Sequence, residues 1–364
     1  MKKKVLFIIW SFSYGGGAEK ILSNIVNNLD PNKYEIDVLE YLHSNKMESV
    51  NSNVNILRPI LDDTKEGVLS RIYLKLIDKI FIKICPGLIR KIHLNKKYDV
   101  EISFNYLIPT FLLNYTNTKT ISWIHGSIYD LNENKYLRNM QRYFFKKVDQ
   151  IVAISNVTEK SIFDIYPEFK NKTKKIYNGY DFGKMKSDTV IDDFDLLYCN
   201  RFDFNKDPLR FIKIVKSLHD TNIPVKAKML GTGDLFEKSN ELIKKYGLEN
   251  SIEVLGFKKN PYSYFEHCKV FCLTSHAEGF PTTLVESMCF GKPFVSSNVA
   301  GADELSKNGI CGYVANNDEE YLHFIKMLLT DPDLYIKMSY NCKINVNKYS
   351  LSNQINNIEL CIDE

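Results

Sequence analysis

Two glutamates eight residues apart, Glu278 and Glu286, lie in the stretch SHAEGFPTTLVESMCFGKP, residues 275–293. A carboxylate only accepts hydrogen bonds, and a pair of vicinal sugar hydroxyls can donate two of them at once. Between the two acids lies a Gly-Phe-Pro turn. Pro281 suits a first helical turn, and Gly291 with Pro293 ends the helix. The amides of Gly279, Phe280 and Thr282 then point outward at a helix start, where hydroxyl or phosphate oxygens bind readily. The plainer reading is that Glu278 complements the helix dipole and Glu286 is a solvated helix residue.

A second constellation follows the first strand of the second half, in YCNRFDFNKDP. Arg201 and Lys206, five apart on one strand-to-helix turn, can straddle a diphosphate and neutralise it as it leaves. Read alone, they are solvated surface charges. Gly231 and Gly233 in MLGTGDLFE mark another strand end. They lack the third glycine of a dinucleotide fingerprint, so a tight turn into a helix is the expectation, one compatible with close approach to a nucleotide base. Gly16 and Gly17, in SYGGGAEK, let backbone pass close to a ligand, while Glu19 favours a helix N-terminus. His125 closes the strand-like SWIHG, where it is either a satisfied structural histidine or a partner for a sugar hydroxyl or proton. Asp193-Phe194-Asp195 has the acid-x-acid form that can hold a metal on a nucleotide-sugar, but it reads here as polar linker before a strand.

These residues need elements that bring them to one edge. The chain alternates short apolar strands with helices: KVLFIIW, YEIDVLEYL, TISWIHG and QIVAISN in the first half, FDLLYCN, VKAKMLGTG, IEVLGF, KVFCLTS and PFVSSN in the second. That pattern predicts two doubly wound parallel sheets, each Rossmann-like, with ligands beyond the carboxyl ends of the strands and a cleft between the domains. With 364 residues, two domains are the natural division. The least patterned piece, Asn178 to Phe194, places the hinge at about 183–194. The expected domains are 1–183, binding acceptor, and 184–345, binding a nucleotide-sugar donor. Residues 346–364 form a helical tail that packs back on the first domain. Residues 1–183 carry 27 Lys+Arg against 19 Asp+Glu, and 184–364 carry 21 against 25. The net charges of +8 and −4 suit the first domain to an anionic partner.

The remaining composition narrows the class. The apolar run Val5–Trp10 is shorter than a signal-peptide core, and a first strand explains it better. No window reaches the length of a spanning helix. Eight scattered cysteines without a CxxC pair or His/Cys ligand spacing indicate reduced core thiols in a cytoplasm rather than a disulfide framework or structural zinc. Arg71, Lys75, Lys79 and Lys83, at four-residue spacing on an apolar background, form a basic amphipathic helix suited to anionic lipid. Arg138, Arg142 and Lys146 repeat the theme, and an ordinary packed helix with a charged outer face is the alternative. No nucleic-acid-binding motif accompanies the charge.

Taken in order, GGGAE, WIHG, YNGYD, NRFDFNKD, LGTGD, VLGFKKN, SHAEGFPTTLVESMCFGKPFVSSNVAGADEL and NGICGYV resemble the retaining glycosyltransferases of family 4 over nearly the whole chain. The resemblance implies the GT-B fold, an α/β architecture of two Rossmann-like domains facing across a cleft. It implies that Arg201 and Lys206 hold the donor diphosphate, Glu286 the ribose, and Glu278 with the amides of Gly279 and Phe280 the transferred sugar. His125 approaches that sugar, Gly16 and Gly17 line the cleft, and no metal or other cofactor is required. Asn200 and Asp207 stand where the family usually has glycine, and Asp207 beside Lys206 reshapes the basic turn. The implied reaction moves a hexose or N-acetylhexosamine, from a UDP-sugar by preference, to a glycan or polyprenyl-diphosphate-linked acceptor. It belongs to bacterial surface polysaccharide assembly at the inner face of the plasma membrane. A nucleotide-sugar epimerase of the same architecture and a non-catalytic sugar-nucleotide-binding protein are the competing expectations.

Overall fold

A computed structural model describes residues 2–13, 17–44, 49–64, 86–94 and 96–364. The chain divides into two compact units, one of residues 1–179 with 351–364, the other of residues 180–350. The division falls at 179/180 and 350/351, a few residues before the hinge expected at 183–194. Gly179 explains part of the shift: a Cβ there would lie 2.7 Å from the Leu351 backbone, so the chain is already locked into the first unit at that point.

The first unit is built on β1 (Lys3–Ile9), β2 (Tyr34–Glu40), β3 (Leu42–His43), β4 (Val54–Ile56), β5 (Leu61–Asp62), β6 (Val100–Ser103), β7 (Lys119–Ile124), β8 (Gln150–Ala153) and β9 (Thr173–Lys175). Seven of them form a sheet in the order β4-β2-β1-β6-β7-β8-β9, all neighbours parallel, and β3 pairs with β5. Val5 to Ile9 are all buried because helices cover both faces, which is why these strands read as continuous apolar runs rather than alternations. The helix Gly17–Asn28 buries Leu22, Ile25 and Val26 at helical spacing. Asn134 and Ser155 cap the helices Lys135–Lys147 and Asn156–Ile165 by accepting from the amides of Leu137 and Thr158. The helix Leu351–Asp363 completes this unit: Ile355, Ile358, Cys361 and Ile362 join the core formed by β1, β2 and the helix Gly17–Asn28.

The second unit holds β10 (Phe194–Cys199), β11 (Ala227–Leu230), β12 (Ile252–Gly256), β13 (Cys268–Leu273), β14 (Phe294–Ser297) and β15 (Gly312–Ala315). Their order is β12-β11-β10-β13-β14-β15, again all parallel. In each sheet the winding reverses once, between β1 and β6 in the first unit and between β10 and β13 in the second. Such a switch point opens a crevice at the carboxyl ends of the two flanking strands, because the connections leaving them run to opposite sides.

Candidate active site

In the second unit the loops that leave β10 and β13 are laced together. Asn205 does most of this: its carbonyl accepts from the amide of His276 at 2.7 Å, its Oδ1 from the amide of Ala277 at 3.1 Å, and its Nδ2 donates to the Ala277 carbonyl at 3.0 Å. The Thr274 hydroxyl donates to the carbonyls of Lys206 and Asp207, and the Tyr198 hydroxyl to that of Arg201. This scaffold brings Lys206 and Glu278 together across the switch point. The Lys206 ammonium donates to Glu278 Oε1 at 2.6 Å, and the Ser275 hydroxyl donates to the same oxygen at 2.7 Å. The two charged side chains are 16% and 11% exposed, so little solvent screens the pair. A strongly paired cation and anion, each within reach of solvent, can exchange partners when an anionic, hydroxylated ligand arrives.

Arg201 does not enter this pair. It is 76% exposed and contacts Asp203 at 2.9 Å, so the two cations expected to straddle one ligand stand apart: Lys206 turned inward, Arg201 outward. Asp207 sits in the left-handed region at φ 44°, a conformation in which glycine is comfortable and Asp or Asn is tolerated. Its carboxylate is engaged, accepting from the Arg210 amide as a helix cap and lying 3.2 Å from His276 Nε2. The other residue at a usual glycine place, Asn200, has a buried Nδ2 without a partner among the described residues.

The helix Thr282–Cys289 starts one residue later than Pro281, which occupies the capping position without a side-chain cap. Gly279 is exposed with open space where a Cβ would stand, while the Phe280 ring packs against Tyr349. Glu286, half-buried in the second turn, lies near Cys199 at the end of β10 and near Tyr180 and Tyr262. Burial raises the pKa of each of these groups, and the Glu286 charge adds to the rise. Both glutamates therefore belong to the switch-point end of this sheet.

Gly231 and Gly233 have φ of 134° and 150°. A Cβ on Gly231 would stand 1.8 Å from the Asn200 carbonyl oxygen, and one on Gly233 would stand 2.6 Å from that of Phe202. Their bareness is thus required by the neighbouring loop after β10, a packing reason the turn expectation did not include. Asp193 and Asp195 lie at the opposite, amino end of β10, bonded to His267 and to Lys269 with the Lys226 amide. Asp193 thus precedes the strand as expected, while Asp195 is already its second residue, and both lie away from the crevice. Among the described residues no group of three His, Cys, Asp or Glu side chains has metal-binding geometry.

The strand ends of the first unit carry different chemistry. His125 directly follows β7, its ring 4.3 Å from that of Phe104 and its Nε2 buried without a partner among the described residues. Burial pushes its pKa down to about 3, so the imidazole is neutral at physiological pH. Gly17 opens the helix Gly17–Asn28 with nothing within 4 Å of a built Cβ, and Glu19 lies in the first turn, as a dipole-complementing acid should. Gly16, and the basic series Arg71, Lys75, Lys79 and Lys83, lie outside the described residues. In the second basic series, Arg142 is committed inside the unit, bridging to Glu168 and to the Ile165 carbonyl. No described helix is long and apolar enough to cross a membrane.

Two features, one in each unit, escaped the sequence reading. Phe204 is 79% exposed and stacked on His276 at 4.9 Å. Glu40, at the end of β2, is buried and receives the Phe12 amide, the Ser13 hydroxyl and His43 Nδ1, anchoring the loop after β1. Neither has a motif. An Asp/Glu at the end of an apolar strand followed by a nearby histidine is the one signal that could have marked Glu40.

Residues 182–344 match the family model of glycosyl transferases group 1. The chain is 25% identical over 365 aligned residues to a Campylobacter jejuni GalNAc-alpha-(1->4)-GalNAc-alpha-(1->3)-diNAcBac-PP-undecaprenol alpha-1,4-N-acetyl-D-galactosaminyltransferase, covering 96% of this chain and 95% of that one. It is 23% identical to an uncharacterized glycosyltransferase of Haemophilus influenzae, covering 96% and 97%. Among solved structures, Anabaena HepE in complex with UDP superposes with a TM-score of 0.74 at 17% identity over the whole of both chains. The two all-parallel sheets have the architecture of these neighbours, and the family match spans the unit that holds Lys206, Glu278 and Glu286. The chain has the two-Rossmann GT-B fold of these solved structures, and its second unit matches the glycosyl transferases group 1 model.

Proposed function

We propose that the chain transfers a hexose or N-acetylhexosamine from a nucleotide-diphosphate sugar, with UDP as the favoured nucleotide, to a hydroxyl of a glycan or polyprenyl-diphosphate-linked acceptor. The observation that carries this reading is the Lys206–Glu278 pair at the switch point of the second unit, held at 2.6 Å by two interlocked loops. On donor binding, the diphosphate takes Lys206 as its partner and releases Glu278 toward the hydroxyls of the sugar. Glu286 receives the ribose hydroxyls, and the outward-turned Arg201 closes on the diphosphate from the solvent side. The bond from the anomeric carbon to the phosphate oxygen breaks as the bond to the acceptor oxygen forms on the same face, giving retention. The acceptor proton passes to the departing phosphate. Negative charge grows on that phosphate, and Lys206, already placed there, stabilises it more in the transition state than in the ground state. Lys206 at this position, with Arg201 on the same loop free to close from the solvent side, supports a reaction that needs no divalent metal. His125, neutral by burial, serves as a hydrogen-bonding partner rather than a charge.

The Campylobacter relative's name supports a lipid-linked acceptor, and a Staphylococcus aureus capsular polysaccharide biosynthesis glycosyltransferase, 27% identical over 48% of this chain, supports surface glycan assembly. We place the work in the cytoplasm at the inner face of the plasma membrane, drawn there by the net positive charge of residues 1–183. A panel of UDP-, GDP- and dTDP-sugars, assayed for hydrolysis and transfer with and without EDTA, tests donor and metal together. Turnover with one nucleotide and no loss in EDTA is expected, and loss in EDTA overturns the metal-free reading. Acceptor-independent conversion of the donor to an isomer would favour an epimerase instead. Salt-sensitive co-sedimentation with anionic liposomes tests the location, and its absence would count against it.

A further inference from the structure

Cys311 immediately precedes β15, an edge strand of the second sheet, and Cys342 lies in the last turn of the helix Pro332–Asn345. The Cys342 sulfur lies 3.0 Å from the Cys311 carbonyl oxygen and in hydrogen-bond contact with the Cys311 sulfur. We propose that these two residues are a redox-active dithiol, which a low-molecular-weight disulfide oxidises to an intrachain bridge. The dithiol itself does not depend on the transfer proposed above.

Buried cysteines are ordinarily inert, and both of these are fully covered. Two features set the pair apart. The first is its electrostatics. Six of the seven described cysteines have a raised pKa, whereas that of Cys311 is lowered. Its sulfur accepts the Cys342 proton, and against the opposing effect of burial the Lys307 charge, the Asn345 amide and the Lys348 charge also favour the anion. Cys342 is raised because it gives that hydrogen bond and is buried. The pair is thus divided into a nucleophile and a resolving thiol. The second feature is the loop in front of Cys311. Lys307, Asn308 and Gly309 have consecutive positive φ of 50°, 57° and 87°, a run that residues other than glycine adopt only with strain. Ile310 is 46% exposed. The loop is fastened to the helix Pro332–Asn345 by polar contacts that water can replace, Lys307 to Asn345 Oδ1 and Asn341 Nδ2 to the Ile310 carbonyl at 3.4 Å. Local lifting of this loop admits a small oxidant.

The exchange has two steps. The Cys311 thiolate attacks one sulfur of RS–SR, forming a mixed disulfide and releasing RS⁻. Cys342 gives up its proton to solvent and attacks the Cys311 sulfur, expelling the second RS⁻. The two protein sulfurs lose two electrons, and RS–SR becomes two thiols once solvent protonates them. A bridged Cys342 has no proton to donate, so it loses its contacts with the carbonyls of Cys311 and of Lys292, the latter at 3.8 Å. The Lys292 carbonyl also accepts from the Ser287 hydroxyl at 2.7 Å, next to Glu286, and the Lys343 side chain packs where a Cβ on Gly291 would stand. The bridge therefore acts on the end of the helix that carries Glu286, a link that rests on the ribose role proposed above.

Full-length protein is equilibrated with mixtures of oxidised and reduced glutathione, alkylated in denaturant and weighed intact. Two of its eight cysteines should escape alkylation in oxidised glutathione and regain it in reduced glutathione, and peptide mapping should join Cys311 to Cys342. Cys342→Ser should stop at a glutathione adduct on Cys311, whereas Cys311→Ser should take none on Cys342. If wild-type protein keeps all eight cysteines alkylatable, bridges other cysteines or bridges only after unfolding, the dithiol is overturned. By calorimetry the bridged form should bind UDP about threefold more weakly than the reduced form. Equal affinity would overturn the link to the Glu286 helix. If the reduced wild-type protein binds no UDP, the transferase reading of the second unit fails instead.

Discussion

The two units share one topology and use it differently. Each sheet reverses its winding once and opens a crevice at the carboxyl ends of the flanking strands. In the second unit that position is ionic: Lys206 and Glu278 paired with little exposure, Arg201 and Asp203 outside them. In the first it is neutral and aromatic, with Trp10, Asn105 and a histidine that burial keeps uncharged. The parallel sheet supplies the place, and the loop residues decide whether that place is charged or neutral.

The sharpest way to break this contrast is to remove the ionic partner. Lys206→Ala should lower transfer by about 10²–10³-fold, the loss typical of removing one preorganised group that stabilises developing charge, while Lys146→Ala, an exposed lysine of the other unit, should not. Steady-state rates on the preferred donor decide it, and equal rates would show that Arg201 alone carries the charge. Glu278→Gln retains a hydrogen-bond acceptor for Lys206 and Ser275 but not the charge. It should reduce turnover about tenfold to a hundredfold with UDP affinity changed by less than threefold. If both fall together, Glu278 serves the nucleotide and not the sugar. Glu286→Ala should weaken UDP binding about tenfold by calorimetry, with the melting temperature close to that of wild type, because the side chain lies at a half-buried surface. Unchanged affinity would remove it from the ribose.

The smallest effect belongs to the neutral edge. His125 has a folded pKa of about 3, below its ordinary 6.5 when unfolded. Between those values the unfolded chain binds the extra proton. His125 therefore destabilises the fold progressively as pH drops from about 6.5 toward 3, and the stability is fully present above 6.5. His125→Asn should consequently show a shallower fall in melting temperature between pH 7 and pH 5 than wild type does. Parallel curves would mean that the ring gains a proton partner in the folded state.

Much of this was legible before any coordinates. Strands buried on both faces read as unbroken apolar runs, so β1, β7, β8, β10 and β13 stand out, and the acids and bases that follow β10 and β13 carry the family resemblance. What could not be read was orientation. Arg201 and Lys206 look equivalent on a loop, and only the interlocking through Asn205 turns one inward. Gly231 and Gly233 read as a tight turn into a helix, but the carbonyls that exclude a Cβ come from a loop about thirty residues earlier, which no local pattern shows. Trp10 passed as the last residue of an apolar strand, because a run of hydrophobic residues does not say where burial stops. The division of the chain was also shifted, since Gly179 has no local signal for the contact it makes with Leu351.

That contact belongs to an arrangement with a consequence for how the protein is made. The final helix, Leu351–Asp363, supplies Ile355, Ile358 and Ile362 to the core beside β1, and Lys3 and Lys33 pair with Asp363 and Glu359. A ribosome delivers residues 1–179 first, but this unit lacks one wall of its core until residues 351–363 emerge. Residues 180–350 are contiguous and have all of their own strands by then. The later-synthesised unit can therefore reach its native state first, and the earlier one must wait, with apolar surface exposed, until the helix Leu351–Asp363 has been made.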